Sequence, residues 1–197
     1  MHSDAVSMRR FPAAPWATLL KAISATATLL LLGVGYAAWR AIPVPAGFTH
    51  LFGFGIACIP IAVPVISLLF IVRGYVLEGN RLLVQRLLWS TPIDINGLSR
   101  VWHDPNGLKG SIRVFGNGGL FSFTGVYWNK SLGRYRLFGT DPKRFVVMQL
   151  PRRIVVVTPE NPDAFIQALT AGSPLAYKDT HESTRRHAQG SPNHQAE

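Results

Sequence analysis

The sequence predicts an α-helical transmembrane hairpin followed by a mainly β domain that one C-terminal helix closes. Three observations carry this reading. Residues 51–72, LFGFGIACIPIAVPVISLLFIV, hold no ionisable group except the thiol of Cys58. At about 1.5 Å per helical residue the run reaches about 33 Å, against a bilayer core of about 30 Å. A second uncharged run, residues 22–39, precedes it between Lys21 and Arg40. From Gly74 onward, short segments rich in Val, Ile, Leu, Phe, Tyr and Trp alternate with Gly, Pro, Asn and Asp, the pattern of strands joined by tight turns.

Residues 1–21 read as a short cytoplasmic lead-in whose positive charges are Arg9, Arg10 and Lys21. The first apolar run has Trp16 and Trp39 near its ends, where tryptophan anchors a helix at the membrane interface. It is rich in Ala, Ser, Thr and Gly, which let helices approach closely in lipid. The expected contact points are Ser24, Thr28 and Gly35 on the first helix and Gly53 and Ala57 on the second. A cleaved signal peptide is the rival reading, with small residues at Ala37 and Ala38. Against it stand the length of the run and the Trp39-Arg40 pair just beyond. The connection, residues 40–50, is short and contains Pro43, Pro45 and Gly47, so it joins two antiparallel helices. Arg40 is the only Lys or Arg in it, whereas Arg73, Arg81 and Arg86 follow the second helix. That bias puts both termini in the cytoplasm and makes the chain a multi-pass protein of the inner membrane. Pro60 and Pro64 each remove a backbone donor and kink the second helix.

The β domain is expected over residues 73–172, after a hairpin spanning 22–72. Strands at 75–78 and 81–89 flank Gly79-Asn80, a two-residue hairpin turn. Further strands are expected at 92–95, 98–103, 111–115, 120–123, 125–128 and 135–139, and a closing hairpin, 144–150 with 153–158, turns at Pro151-Arg152. A helix over 162–170 has Asn161 as N-cap, Pro162 in its first position and Asp163 at the positive end of its dipole. Its stripe of Ala164, Phe165, Ala168 and Leu169 faces the core, and Gly172 stops it. Residues 173–197 are polar and expected to be disordered; His181, His187 and His194 read as part of a solvated tail.

Composition narrows the chemistry. The 197 residues carry a net charge of +10, which suits an anionic membrane surface or a nucleic acid. With membrane helices present, membrane lipid and not nucleic acid is the expected partner. A single cysteine, Cys58, rules out an internal disulfide and a cysteine-based zinc cluster. Residues 116–119, Gly-Asn-Gly-Gly, lack the Gly-Lys-Ser/Thr of a phosphate loop and read as a turn. His103-Asp104 beside Ser99 or Ser111 lacks the Gly-x-Ser-x-Gly elbow of a nucleophilic triad. No catalytic residue, metal site or cofactor is expected, and the protein is expected not to be an enzyme.

Residues 73–170 resemble the bacterial pleckstrin-homology-like domains of small membrane proteins. The resemblance is clearest over RVFGNGGLFSFTGVYWNKSLGRYRLFGTDPKRFVVMQL and TPENPDAFIQAL. It implies a PH-like two-sheet β fold closed by one C-terminal helix, and a fold that hosts lipid binders, peptide binders and scaffolds alike. Thirteen Lys and Arg against six acids leave this stretch with a surplus of seven positive charges. Lys130-x-x-x-Arg134-x-Arg136 resembles the spaced basic motif of phosphoinositide-binding members, although that motif lies between the family's first two strands. Lys130, Arg134, Arg136, Lys143 and Arg144 are therefore the expected lipid- or partner-binding residues, with residues 130–136 facing the membrane. A solvated basic face that only follows the topology bias is the plainer alternative. The expected role is a membrane-anchored, non-catalytic interaction module that binds anionic lipid, a protein partner or a second copy. An accessory or regulatory subunit of a membrane transport or envelope complex is the alternative.

Overall fold

The computed structural model describes residues 8–41 and 48–171. The expectations for the tail at 173–197, for Gly172 and for the prolines of the connection lie outside those residues. The chain runs β1 (Arg9–Pro12), α1 (Thr18–Ala41), α2 (Phe48–Leu69), β2 (Gly74–Glu78), β3 (Arg81–Gln85), β4 (Ser90–Asp94) and β5 (Arg100–His103). Then come β6 (Ile112–Gly118), β7 (Phe123–Asn129), β8 (Gly133–Gly139), a 3-10 turn (Pro142–Arg144), β9 (Val146–Leu150), β10 (Arg153–Val157) and α3 (Pro162–Ala171).

One sheet has the order β1-β2-β3-β4 and the other β5-β9-β10-β8-β7-β6. The two-sheet architecture with a closing helix agrees with the expectation. Both hairpin turns also fall where the sequence puts them: Glu78 pairs with Arg81 across Gly79-Asn80, and Leu150 with Arg153 across Pro151-Arg152. Between the sheets lies a core in which Tyr75, Leu82, Val84 and Ile93 meet Phe138, Met148, Val155 and Val157. Helix α3 plugs this core with Phe165, Ile166 and Leu169. The Asn161 side chain accepts a hydrogen bond from the Ala164 backbone N–H at 3.1 Å, as an N-cap does.

The segment taken as a lead-in belongs to the β domain. β1 pairs antiparallel with β2, Phe11 opposite Tyr75. The Phe11 ring meets Phe165 edge-on at 5.1 Å, and the Ala14 N–H donates to the Thr158 carbonyl at 2.9 Å. Helix α1 also starts inside the domain. Leu20 is wholly buried with Tyr127, Tyr135, Leu137, Val147 and Val156, on the face of the six-stranded sheet turned away from the four-stranded one. Ser24, expected as a helix–helix contact, instead ties α1 to the β6–β7 loop. Its hydroxyl donates to the Gly119 carbonyl at 3.1 Å and accepts from the Phe121 N–H at 2.9 Å. At the other end, α2 stops at Leu69, and Val72, expected as its last residue, is buried in the inter-sheet core.

Because β1 precedes α1, β2 follows α2, and the two strands pair, the helices run out from the domain and back. They pack where small residues permit. A Cβ added at Gly35 would stand 3.3 Å from Ile61 and 3.5 Å from the Ala57 carbonyl oxygen. Trp39 stacks edge-on with Phe54 at 5.5 Å. Gly35 and Ala57 thus make the contact expected of them, while the buried Thr28 hydroxyl oxygen has no hydrogen-bond partner among the described residues.

The glycine-rich stretch departs from the sequence reading. Gly116, Asn117 and Gly118 continue β6, and only Gly119 begins the turn, while residues 120–122, expected as strand, form the loop. Gly116 lies opposite Gly125. A Cβ on Gly125 would overlap the Phe115 carbonyl and one on Gly116 that of Thr124. Two facing glycines let the strands come this close.

Tyr75 locks the sheets together: its hydroxyl donates to the Phe138 carbonyl at 2.7 Å and accepts from the Thr158 N–H at 3.0 Å. Burial pushes its phenol up to about 12. The folded state therefore holds this proton more tightly than the unfolded chain, whose tyrosines titrate near 10. Stability from this group is complete below about pH 10 and is lost as pH rises toward about 12. Tyrosinate absorbance should rise together with loss of the folded circular dichroism signal across that window. Ionisation of Tyr75 near pH 10 in a folded chain would contradict the burial.

Candidate interaction site

The five basic residues expected as one site are spread along β8, from the turn before it to the 3-10 turn after it. Lys130 sits in the β7–β8 turn, between the paired Asn129 and Gly133, and Arg134 lies opposite Trp128 just beyond it. Arg136 lies two residues further along the same face, opposite Val126. Lys143 and Arg144 fall in the 3-10 turn after the far end of β8. Arg144 is occupied locally: its guanidinium lies 3.6 Å from the Asp141 carboxylate and also donates to the Glu160 carbonyl. So Lys130 and Arg134 share one end of β8, Arg136 lies mid-strand with its guanidinium 5.9 Å from the Phe138 ring, and Lys143 and Arg144 do not join them.

Their position relative to the helices also differs from expectation. The β6–β7 loop, at the Phe123 end of β7, holds the residues that bond α1. Its Ser122 hydroxyl donates to the carbonyl of Phe70, the residue after α2. Lys130 stands at the other end of β7. Seven strand residues separate the two ends, about 20 Å. The turn at 130–132, with Arg134 beside it, is thus remote from the helix-bearing end of the domain.

Sequence reasoning missed what surrounds these charges. Ile112 lies opposite Trp128, and Phe115 opposite Val126, across the β6–β7 pair. Cross-strand partners share a face, so Ile112, Phe115, Val126, Trp128, Arg134 and Arg136 form one surface. Phe115 is 77% exposed and Trp128 41%. The sequence shows an aromatic strand there, but not that the four-stranded sheet leaves this part of the larger sheet open.

A second basic centre lies at the helix-bearing end. Arg86 is only 8% exposed. Its guanidinium donates to the Phe70 carbonyl at 2.8 Å and, through Nε, to the Thr91 hydroxyl at 3.0 Å. It also lies 5.4 Å from the Phe70 ring and 5.5 Å from the Phe138 ring, within cation–π reach. Burial lowers its pKa from the usual arginine value, and the nearby Arg136 charge adds to this. Among the described residues no carboxylate neutralises it, the one ion pair being Arg144–Asp141.

A family model described as Bacterial PH domain matches residues 73–172, half of the chain. The protein belongs to the bacterial PH domain family. No curated protein and no solved structure matches the chain. The PH domain here reaches beyond the matched span, because β1 and the first turns of α1 complete its two hydrophobic cores. Its first hairpin turn, Gly79-Asn80, is flanked by Glu78 and Arg81.

The residues weighed for catalysis have other partners within the PH domain. The His103 ring meets the Lys143 carbonyl at 3.2 Å, and the Ser99 hydroxyl donates to the Gln149 carbonyl. Ser111 accepts from the Tyr135 hydroxyl at 2.8 Å and from the Asn129 amide at 3.1 Å, and donates to the Gly107 carbonyl. Asp104 accepts from the Asn106 N–H in a turn. Among the described residues no three His, Cys, Asp or Glu side chains group as metal ligands.

Proposed function

We propose that this protein is a membrane-anchored, non-catalytic PH-domain interaction module at the cytoplasmic face of the inner membrane. One observation carries the anchoring: α1 and α2 leave the domain side by side and expose an almost unbroken apolar surface, including Leu29, Leu30, Tyr36, Ile56, Ile59 and Val65. Soluble monomers rarely expose apolar patches beyond a few hundred Å², and α1 is long and apolar enough to cross a bilayer. The membrane segment on this reading runs from about residue 25 to residue 69, narrower than the 22–72 of the sequence, with residues 8–24 assigned to the PH domain. Both termini then share the cytoplasmic side.

The open sheet face is the binding surface, with Lys130, Arg134 and Arg136 beside Trp128, Phe115 and Ile112. Exposed aromatics flanked by arginine are the composition of protein interfaces. The distance of Lys130, Arg134 and Trp128 from the helix-bearing end favours an acidic protein partner over the bilayer that anchors the chain. Lys143 and Arg144 contribute only general positive charge.

A photoreactive residue in place of Trp128, in the full chain in intact membranes, tests this. The expected result is a protein adduct that the combined change Lys130→Glu, Arg134→Glu and Arg136→Glu abolishes. Adducts to lipid alone would put this face on the bilayer instead.

A further inference from the structure

We propose that the β3–β4 loop is a lipid-headgroup site, in which Leu88 and Trp89 enter the membrane interface while Arg73 and Arg86 hold a lipid phosphate beside them. The inference rests on the anchored reading above and adds a ligand class and a place for it.

The loop is apolar and uncovered. Leu87, Leu88 and Trp89 follow Arg86, the residue after β3, and Leu88 is 75% exposed. The sequence pattern extends β3 through them, but the strand stops at Gln85 and a tight turn follows, closed by the Arg86 N–H on the Trp89 carbonyl at 2.8 Å. The turn is therefore rigid enough to hold its apolar side chains outward. Its depth is fixed by α2: Trp89 stacks edge-on with Phe70 at 5.3 Å, and Phe70 follows the last helical residue. A helix that ends where lipid ends puts Trp89 at headgroup level, the depth tryptophan prefers. Trp16, 5.9 Å from Phe121 of the β6–β7 loop, supplies a second interfacial tryptophan at the same end.

Beside the loop is an open cavity of about 580 Å³, lined by Arg73, Gln85, Arg86 and residues 87–90. Two of the five guanidinium N–H donors of Arg86 are used by Phe70 and Thr91. Arg73, exposed, lines the same cavity. Two arginines and no Asp or Glu line this cavity, which suits a phosphate, since arginine binds it through paired N–H donors. Anchored lipid is the source within reach, since α2 delivers the cavity to the headgroup layer.

The test uses the full chain in nanodiscs of phosphatidylcholine alone or mixed with phosphatidylglycerol. An environment-sensitive fluorophore is attached at Leu88→Cys or, as a control at the opposite end, at Asn80→Cys, each with Cys58→Ser. The probe at 88 should be shielded from aqueous iodide and the probe at 80 open to it. Native mass spectrometry of the detergent-extracted chain should show retained phosphatidylglycerol, lost in Arg73→Gln and weakened in Arg86→Lys, and not displaced by inorganic phosphate. A probe at 88 as accessible as that at 80, in a reconstituted chain, overturns this proposal alone. Undiminished retention in both arginine variants does the same, and displacement by inorganic phosphate makes it a free-anion site. Failure of the chain to enter nanodiscs overturns the anchored reading and this site with it.

Discussion

Phe165→Ala is expected to lower the thermal midpoint of the full chain by more than about 10 °C. The side chain is wholly buried where α3 meets both sheets, against Phe11 at 5.1 Å and Tyr75 at 6.0 Å. Removing a buried phenyl ring costs about 3–5 kcal/mol, because lost transfer energy and an unfilled cavity add. For a domain of this size each kcal/mol moves the midpoint by about 4–8 °C. Total stability of about 5–15 kcal/mol leaves little after such a loss. Circular dichroism in detergent micelles checks it; an unchanged midpoint would mean that α3 does not close the core.

A fragment holding only residues 73–172 is expected not to fold stably, although it contains the whole span matched by the family model. It lacks β1, so the β2 edge is unpaired and Phe11 no longer covers Phe165. It also lacks Leu20, which is fully buried on the outer face of the six-stranded sheet. Burial of each such side chain is worth about 1.5–3 kcal/mol. The Thr140 hydroxyl loses its acceptor, the Ala14 carbonyl 2.6 Å away, and the Phe121 N–H loses Ser24. Each hydrogen bond contributes about 1 kcal/mol, more where a buried group is left unpaired. Replacing residues 25–69 by a short Gly/Ser linker, which keeps β1 and the start of α1, should restore a cooperative melt. Equal midpoints for the two forms would show that the N-terminal pieces are dispensable.

The same N-terminal pieces show where the sequence stops being readable. Strand β1 is Arg-Arg-Phe-Pro, with one large apolar residue and a proline that reads as a breaker. Proline is tolerated there because β1 is an edge strand. Ser24 looks like any small residue of a membrane helix, and only the fold brings it to Gly119, 95 residues away. Leu87, Leu88 and Trp89 have a strand's composition, but Arg86 turns the chain by binding Phe70 and Thr91. What was legible rests on local rules: Gly79-Asn80 and Pro151-Arg152 as turns, Asn161-Pro162 as a helix start, and Phe165 on an apolar stripe. The basic motif was legible as residues but not as a place. Charge carries no periodicity that tells which end of a strand faces the helices, so the sequence does not show that Lys130 and Arg144 lie beyond opposite ends of β8.

Side-specific cysteine labelling in intact bacterial cells tests the anchored PH domain most directly. Single cysteines are placed at Ala46, between the helices, and at Asn80, in the β2–β3 turn, in a Cys58→Ser chain. The account predicts that a membrane-impermeant maleimide reaches residue 46 from outside and residue 80 only after permeabilisation. Labelling of both from the same side, or of residue 80 from outside, would contradict it.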